Sequence, residues 1–369
     1  MKTAKLVLLG GFLGAGKTTT MINSALKLEE QGYRVAIVTN DQGKELIDTE
    51  LARKNGLDTK EVTGGCFCCQ FEDLYENLTG LLEEKQPDVI IAEAVGSCTD
   101  LAATVIQPLK QYYSEQFKTA PLTIVVDPAR LMHELNATDE TRPSFSQSVS
   151  YIFEKQLAEA DIIALNKLDR YSSEEVEKLY NYLQQRYPQT VIQTISAERG
   201  DNLDVLTETW LTTDLGGDKV LDIDYERYAE GEAQLAWMNI LGDLSSDQDV
   251  DPRQWAESFL DKLNAHFIRE KMAIAHLKVH VGLEDGYVKA SMVHTGDEPT
   301  FTEENVQNAK QLRVVLNIRI EASPAILNLV VADAIGALNK ELGTKWNETY
   351  NECFSPLPPK PVHRLYEVM

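Results

Sequence analysis

The stretch Leu6–Thr20, LVLLGGFLGAGKTTT, decides how the rest of the chain is read. Leu6-Val7-Leu8-Leu9 is a short apolar run, the pattern of a strand buried on both faces. Gly11, Gly16, Lys17 and Thr18 then satisfy G-x-x-x-x-G-K-[ST], and Met21, Ile22, Ala25, Leu26 and Leu28 recur at helical spacing as far as Gln31-Gly32. Strand, glycine loop, helix is the setting that makes this pattern a phosphate-binding loop. Through Gly11, Gly14, Ala15, Gly16, Lys17, Thr18 and Thr19, backbone N–H groups curl around phosphate oxygens, and the helix N-terminus adds partial positive charge. Lys17 reaches the β- and γ-phosphates as a catalytic charge, and the Thr18 hydroxyl ligates Mg²⁺.

Working outward, apolar strands alternate with helical stretches, and each strand ends in polar residues. Tyr33–Thr39 runs into Asn40-Asp41-Gln42-Gly43 with Asp48 beyond, where a switch segment would sense Mg²⁺ and the γ-phosphate. Lys60–Thr63 leads to Gly64-Gly65-Cys66-Phe67-Cys68-Cys69, and Asp88–Ala92 delivers Glu93-Ala94-Val95-Gly96. Pro121–Val126 ends in Asp127, Asp161–Leu165 in Asn166-Lys167-Leu168-Asp169, and Thr190–Ile195 in Ser196-Ala197. The clearest helix, Ser172–Tyr187, opens with a Ser172…Glu175 capping box and stops at Pro188. This alternation predicts an α/β fold, a P-loop NTPase with a mainly parallel sheet flanked by helices and its site on the carboxyl edge. We divide the chain into a nucleotide domain over 1–211, an acidic linker over 212–232, a smaller α+β domain of ferredoxin-like layering over 233–354, and a Pro-rich tail over 355–369.

Two strand ends choose the base and the reaction. Asn166-Lys167-Leu168-Asp169 stands where an N-K-x-D element recognises guanine: a carboxylate accepts from N1–H and the 2-amino group, donors that adenine lacks. Lys167 would lie along the base, Asn166 would brace the loop or reach the imidazole edge, and Ser196-Ala197 would add backbone contact to the base carbonyl. Glu93 sits where P-loop enzymes carry the acid that holds Mg²⁺, directly or through water, and Gly96 lets a backbone N–H face the γ-phosphate.

Cys66, Cys68 and Cys69 crowd a strand end on the same sheet edge. Thiolates on one tight loop converge on a soft or borderline cation, so Zn²⁺ or Co²⁺ fits, with one further ligand or a water completing a tetrahedron. The plain alternative is a set of small buried hydrophobes. Cys98 follows the Glu93 strand and, on topology alone, could approach the same region. His276 and His280 share one face of a strand, with His294 on a neighbour; a solvated polar face is the simpler reading than a second metal site.

The 369 residues carry a net charge of −23, which argues against nucleic acid or an anionic membrane as partner. No apolar run approaches a membrane span, Lys2 and Lys5 precede a phosphate loop and not a cleavage site, and clustered cysteines suit a reducing compartment. Cytoplasm is the expected location.

The phosphate loop GFLGAGKTTT, Gly-Cys-x-Cys-Cys at Gly65–Cys69, Glu-x-x-Gly at Glu93–Gly96 and Asn-Lys-x-Asp at Asn166–Asp169 together resemble the CobW subgroup of the CobW/HypB/UreG metallochaperone GTPases. The resemblance extends to about residue 210. It departs from the family at Asp41, where Glu is usual, and at Ser97-Cys98-Thr99-Asp100, where Asp-Pro is common; a His-rich tract is lacking. The segment Tyr228–Asn239, YAEGEAQLAWMN, is similar to relatives linked to corrinoid enzymes. The resemblance implies a GTPase whose hydrolysis gates delivery of a metal or corrinoid to a client protein, and it leaves open a nucleotide-dependent homodimer. A P-loop small-molecule kinase and a non-catalytic GTP-bound metal buffer are the competing readings.

Overall fold

A computed structural model describes residues 3–41, 57–135, 143–214 and 216–368. The chain forms two compact units, one of Met1–Met132, Ser150–Tyr228 and Pro359–Met369, the other of His133–Val149 and Ala229–Pro358.

In the first unit an eight-stranded sheet comprises β1 (Ala4–Gly10), β2 (Val35–Asp41), β3 (Asp58–Thr63), β4 (Val89–Glu93), β5 (Phe117–Thr119), β6 (Thr123–Val126), β7 (Ile162–Leu165) and β8 (Val191–Thr194). Its spatial order is β3-β2-β4-β1-β6-β7-β8, with β5 also on β1, and every pairing is parallel. β1 is buried along its whole length, which explains why Leu6–Leu9 within it is an unbroken apolar run that shows no alternation. Helices α1 (Lys17–Glu30) and α2 (Phe71–Glu84) bury regular apolar stripes, Leu74, Leu78, Leu81 and Leu82 in α2. A π-helical turn over Ala102–Ile106 runs into α3 (Gln107–Tyr113), followed by α4 (Pro128–Leu135) and α5 (Gln147–Glu159). The Ser172–Glu175 capping box is formed, and it starts α6 (Ser173–Arg186). Helix α7 (Leu203–Thr212) covers the sheet with the buried Trp210, whose Nε1 donates to Thr123 Oγ1 (2.9 Å).

Where the sequence suggests a linker over 212–232, the chain already enters helix α8 (Tyr225–Gln234). The second unit is an antiparallel sheet of β9 (Leu235–Val250), β10 (Ile274–Gly282), β11 (Tyr287–Met292), β12 (Thr300–Glu304), β13 (Ala309–Glu321) and β14 (Thr344–Phe354), in the order β12-β11-β10-β13-β9-β14. Helices α9 (Pro252–Arg269) and α10 (Pro324–Leu342) share its core. Without the β11–β12 hairpin, β9-α9-β10-β13-α10-β14 in the order β14-β9-β13-β10 is the ferredoxin-like split βαβ plan. Among the described residues no helix is long and apolar enough to cross a membrane.

Candidate functional site

The loop from β1 to α1 is held by its own backbone and by a neighbouring strand end. Gly11, Gly14 and Gly16 take positive φ. A Cβ on Gly16 would stand 2.5 Å from Asn166 Nδ2, so no larger residue fits there. Asn166 explains the close approach: its Nδ2 donates to Ala15 O (3.0 Å) while its Oδ1 accepts from the Ala197 amide (2.9 Å). Of the two roles open to Asn166, the side chain takes the bracing one. Lys17, 6% exposed, reaches across the loop mouth to Phe12 O at 3.4 Å. Thr19 follows on the first turn of α1.

Thr18 Oγ1 donates to Glu93 Oε1 (3.0 Å), bringing together two hard oxygen donors from α1 and the end of β4. That donor set fits Mg²⁺. Gly96, three residues on, lies against the phosphate loop: a Cβ there would meet Leu13 side-chain carbon at 2.7 Å and its Cα at 3.1 Å. Asp48 and Gly43, the proposed switch residues, lie outside the described residues.

At the ends of β7 and β8, Lys167 adopts a left-handed φ of 61° and its Nζ donates to Gly14 O (2.9 Å) and to the buried Asp127 (2.7 Å). Ser196 Oγ donates to Asp169 Oδ1 (2.6 Å), which orients the carboxylate. The Ser196 and Ala197 amides donate to Asp201 O and Asn166 Oδ1. Asp127 went unremarked in the sequence beyond ending a strand; an acid at a strand end facing an N-K-x-D lysine is the signal that would have found it.

The cysteine loop is built around Asn40 at the end of β2. Its Nδ2 donates to Val62 O (3.0 Å) and Gly65 O (2.7 Å), and its Oδ1 accepts from the Phe67 amide (3.0 Å). One side chain of the switch strand thus shapes the loop. The sulfurs of Cys66, Cys68 and Cys69 lie within 4.8 Å of one another, 2.8 Å for Cys66–Cys68 and 3.8 Å for Cys68–Cys69, and no disulfide joins them. Hydrogen bonds from Cys68, then Cys69 and Cys98, hold Cys66 well below the usual thiol range, and the same exchange raises Cys68. Three convergent sulfurs, one already favouring thiolate, fit a thiophilic divalent cation. Among the described residues, this is the one group of three or more metal-capable side chains within such reach. Among the described residues His276, His280 and His294 form no such group: His280 stacks on Tyr287, and the buried His294 on His133.

A further element was not anticipated as part of this region. The segment 359–368, read as a tail, lies across the cysteine loop. Lys360 N donates to Cys69 Sγ (3.2 Å) and Val362 N to Cys68 O (2.9 Å), while the His363 ring meets Phe71 edge-on at 4.9 Å. Arg364 Nε donates to Asp100 Oδ2 (2.7 Å), where Tyr225 OH also donates (2.7 Å), and Leu365 N donates to Ala103 O (3.0 Å) in the π-helical turn. Asp100 is 1% exposed, and burial pushes its carboxyl up despite Arg364. Beside it, the fully buried Glu159 accepts from Thr99 Oγ1 (3.0 Å) and the Ala102 amide (3.2 Å). Burial, followed by the Asp100 charge, raises its pKa from 4.5 to about 8.

The sequence model of the CobW/HypB/UreG nucleotide-binding domain matches residues 5–193. Curated relatives include zinc chaperone YeiR of Escherichia coli K12, 30% identical over 181 residues that make up 48% of this chain and 51% of that protein. Zinc chaperone CobW of a Sinorhizobium species is 32% identical over 176 residues, 43% of this chain and 49% of the relative. Zinc chaperone YjiA of E. coli K12 is 29% identical over 185 residues, 50% and 54% of the two chains. The chain thus spans about half the length of the curated relatives it matches.

Proposed function

The chain belongs to the CobW/HypB/UreG family, and from that premise we propose that it is a GTP-hydrolysing metallochaperone that couples hydrolysis to delivery of Zn²⁺ or Co²⁺, or of a corrinoid, to a client protein. The observation that carries the metal half is the sulfur trio, within 4.8 Å, on a loop shaped by the switch-strand residue Asn40. Support for zinc comes from relatives that are named zinc chaperones.

On this reading Asp169, aimed by Ser196, accepts from guanine N1–H and the 2-amino group. Lys167, drawn to Gly14 O and Asp127, lies beside the base, and Asn166 keeps the phosphate loop and the base loop in register. Lys17 leaves Phe12 O for the β- and γ-phosphates, and the Gly96 amide faces the γ-phosphate. Thr18 and Glu93 hold Mg²⁺, which supplies charge neutralisation on the phosphates when bound. Catalysis by these residues is positioning and electrostatics. Corrinoid supply is the narrower client proposal, resting on Tyr228–Asn239, and a reducing compartment is its natural setting.

The test is metal content and phosphate release on the purified chain, with GTP, ATP or neither, for the wild type and the Cys66→Ser/Cys68→Ser/Cys69→Ser variant. We expect GTP preference, bound metal lost in the variant, and metal retention that differs between GTP and GDP. ATP preference would favour a small-molecule kinase. Metal binding without phosphate release, even with a client present, would favour a buffer.

A further inference from the structure

The three sulfurs supply three positions of a tetrahedron, and the structure assigns the fourth: we propose that Cys98 is a metal ligand, so that the site is a four-sulfur site built from two loops. This rests on the metallochaperone reading and deepens it. Cys98 is 1% exposed, and its thiol lies near enough to those of Cys66 and Cys68 to lower the one and raise the other, although it lies some thirty residues on. It stands beside two of the trio without belonging to the tight 4.8 Å group.

Its place is fixed by the loop and not left to chance. The Cys98 amide donates to Val95 O (3.0 Å), and the buried Gln156 donates from Nε2 to both Gly96 O (3.0 Å) and Cys98 O (2.7 Å). Next to it, Thr99 is tied to Glu159 and Asp100 to Arg364 and Tyr225. A cysteine serving only as a small apolar filler needs no such clamp on its backbone and no thiol partners, and it packs equally well against carbon.

The functional weight lies in what else this loop carries. It starts at Glu93, which accepts from Thr18, and passes Gly96 against the phosphate loop two residues before Cys98. A ligand at Cys98 ties the metal to the strand end that faces the γ-phosphate. Cys66, Cys68 and Cys69 hang from the other switch strand through Asn40. One ion would then bridge both nucleotide-sensing strand ends, and by linkage each ligand would alter the other's affinity equally.

The experiment loads the full, reduced chain with Co²⁺ and, separately, Zn²⁺, comparing wild type with Cys98→Ser and Cys98→Ala. Both retain the trio, and binding of a fluorescent GTP analogue to the metal-free variants verifies the fold. Zinc-edge X-ray absorption on the wild type should give four sulfur scatterers. In both variants the thiolate-to-Co²⁺ charge-transfer band should fall by about a quarter, and affinity in chelator competition should fall at least about tenfold, the size set by outer-shell partners of metals. Three sulfurs and one lighter ligand in the wild type, or variants that match the wild type in band and affinity, overturn the Cys98 assignment and leave the trio standing. A wild type that binds neither ion overturns the metallochaperone reading with it.

Discussion

Replacing Glu159 by Gln should abolish a pH dependence of stability that the first unit otherwise carries. Glu159 ends α5 fully buried, with Thr99 Oγ1 and the Ala102 amide as donors and the Asp100 carboxylate nearby, itself partnered by Arg364 and Tyr225. Its folded pKa, about 8, lies above the ordinary 4.5, so the folded state holds the proton more tightly than the unfolded chain. Below pH 4.5 both states are protonated, and Glu159 contributes no slope. Between 4.5 and 8 only the unfolded state is ionised, and stability declines by about 1.4 kcal/mol per pH unit. Above 8 both are ionised, and the folded state carries the full penalty of about 5 kcal/mol, a sizeable part of a domain's total. Gln has the shape to accept from Ala102 and to donate to Thr99, and it cannot ionise. Urea titrations read by hydrogen exchange of first-unit peptides at pH 5.5, 7 and 8.5 isolate this unit from the other. We expect the variant to exceed the wild type by only about 1.4 kcal/mol at pH 5.5 and by progressively more at higher pH. Parallel pH profiles for the two proteins would refute the reasoning.

Three further outcomes follow from single contacts. Asp169→Asn should weaken GTP binding at least about 100-fold, since a buried site built to accept two donors loses its acceptor; isothermal titration with GTP and ATP checks it, and unchanged GTP affinity would remove Asp169 from the base site. Asn40→Ala deletes three hydrogen bonds inside the cysteine loop and should destabilise it by about 2–3 kcal/mol, read as weaker zinc competition against a chelator with GTP affinity held. Arg364→Gln leaves the buried Asp100 with Tyr225 alone and should destabilise the first unit by about 3 kcal/mol; Cys69 should also react faster with a thiol reagent as Lys360 lifts away, and an unaltered rate would show that segment 359–368 does not guard it.

How much of this was legible depends on whether the signal was local. The phosphate loop, the strand ends and the Ser172 cap could be read because each is a short pattern whose chemistry is set by its immediate neighbours. The polar strand β14 could not: TKWNETYNECF is exposed or only half-buried after Thr344 and shows no apolar alternation, and it is a strand because β9 offers it an edge. β12, half-exposed beside β11, hid in the same way. The Asp100–Arg364 pair spans 264 positions and leaves no periodicity to find. Cys98 was visible as a residue, but its thiol partners exist only after two loops fold onto one another.

The two halves of the site are held differently, and that difference bears on the proposed coupling. Asn166 and Lys167 tie the phosphate loop to the ends of β7 and β8 through Ala15 O and Gly14 O, strands on the side of β1 away from the switch. The cysteine loop depends on Asn40 and on segment 359–368, and Asn40 is the first residue of the stretch expected to sense the γ-phosphate. A change in phosphate occupancy that displaced Asn40 would withdraw its bonds to Val62, Gly65 and Phe67 together, because one amide serves all three. That is a two-position element of the kind allostery requires. With Glu93 and Cys98 on the same side of β1, metal and nucleotide would be read by β2 and β4, while β7 and β8 keep the base in place. The affinity ratio of GTP to GDP should therefore change on zinc binding by the same factor as the zinc affinity changes between the two nucleotides.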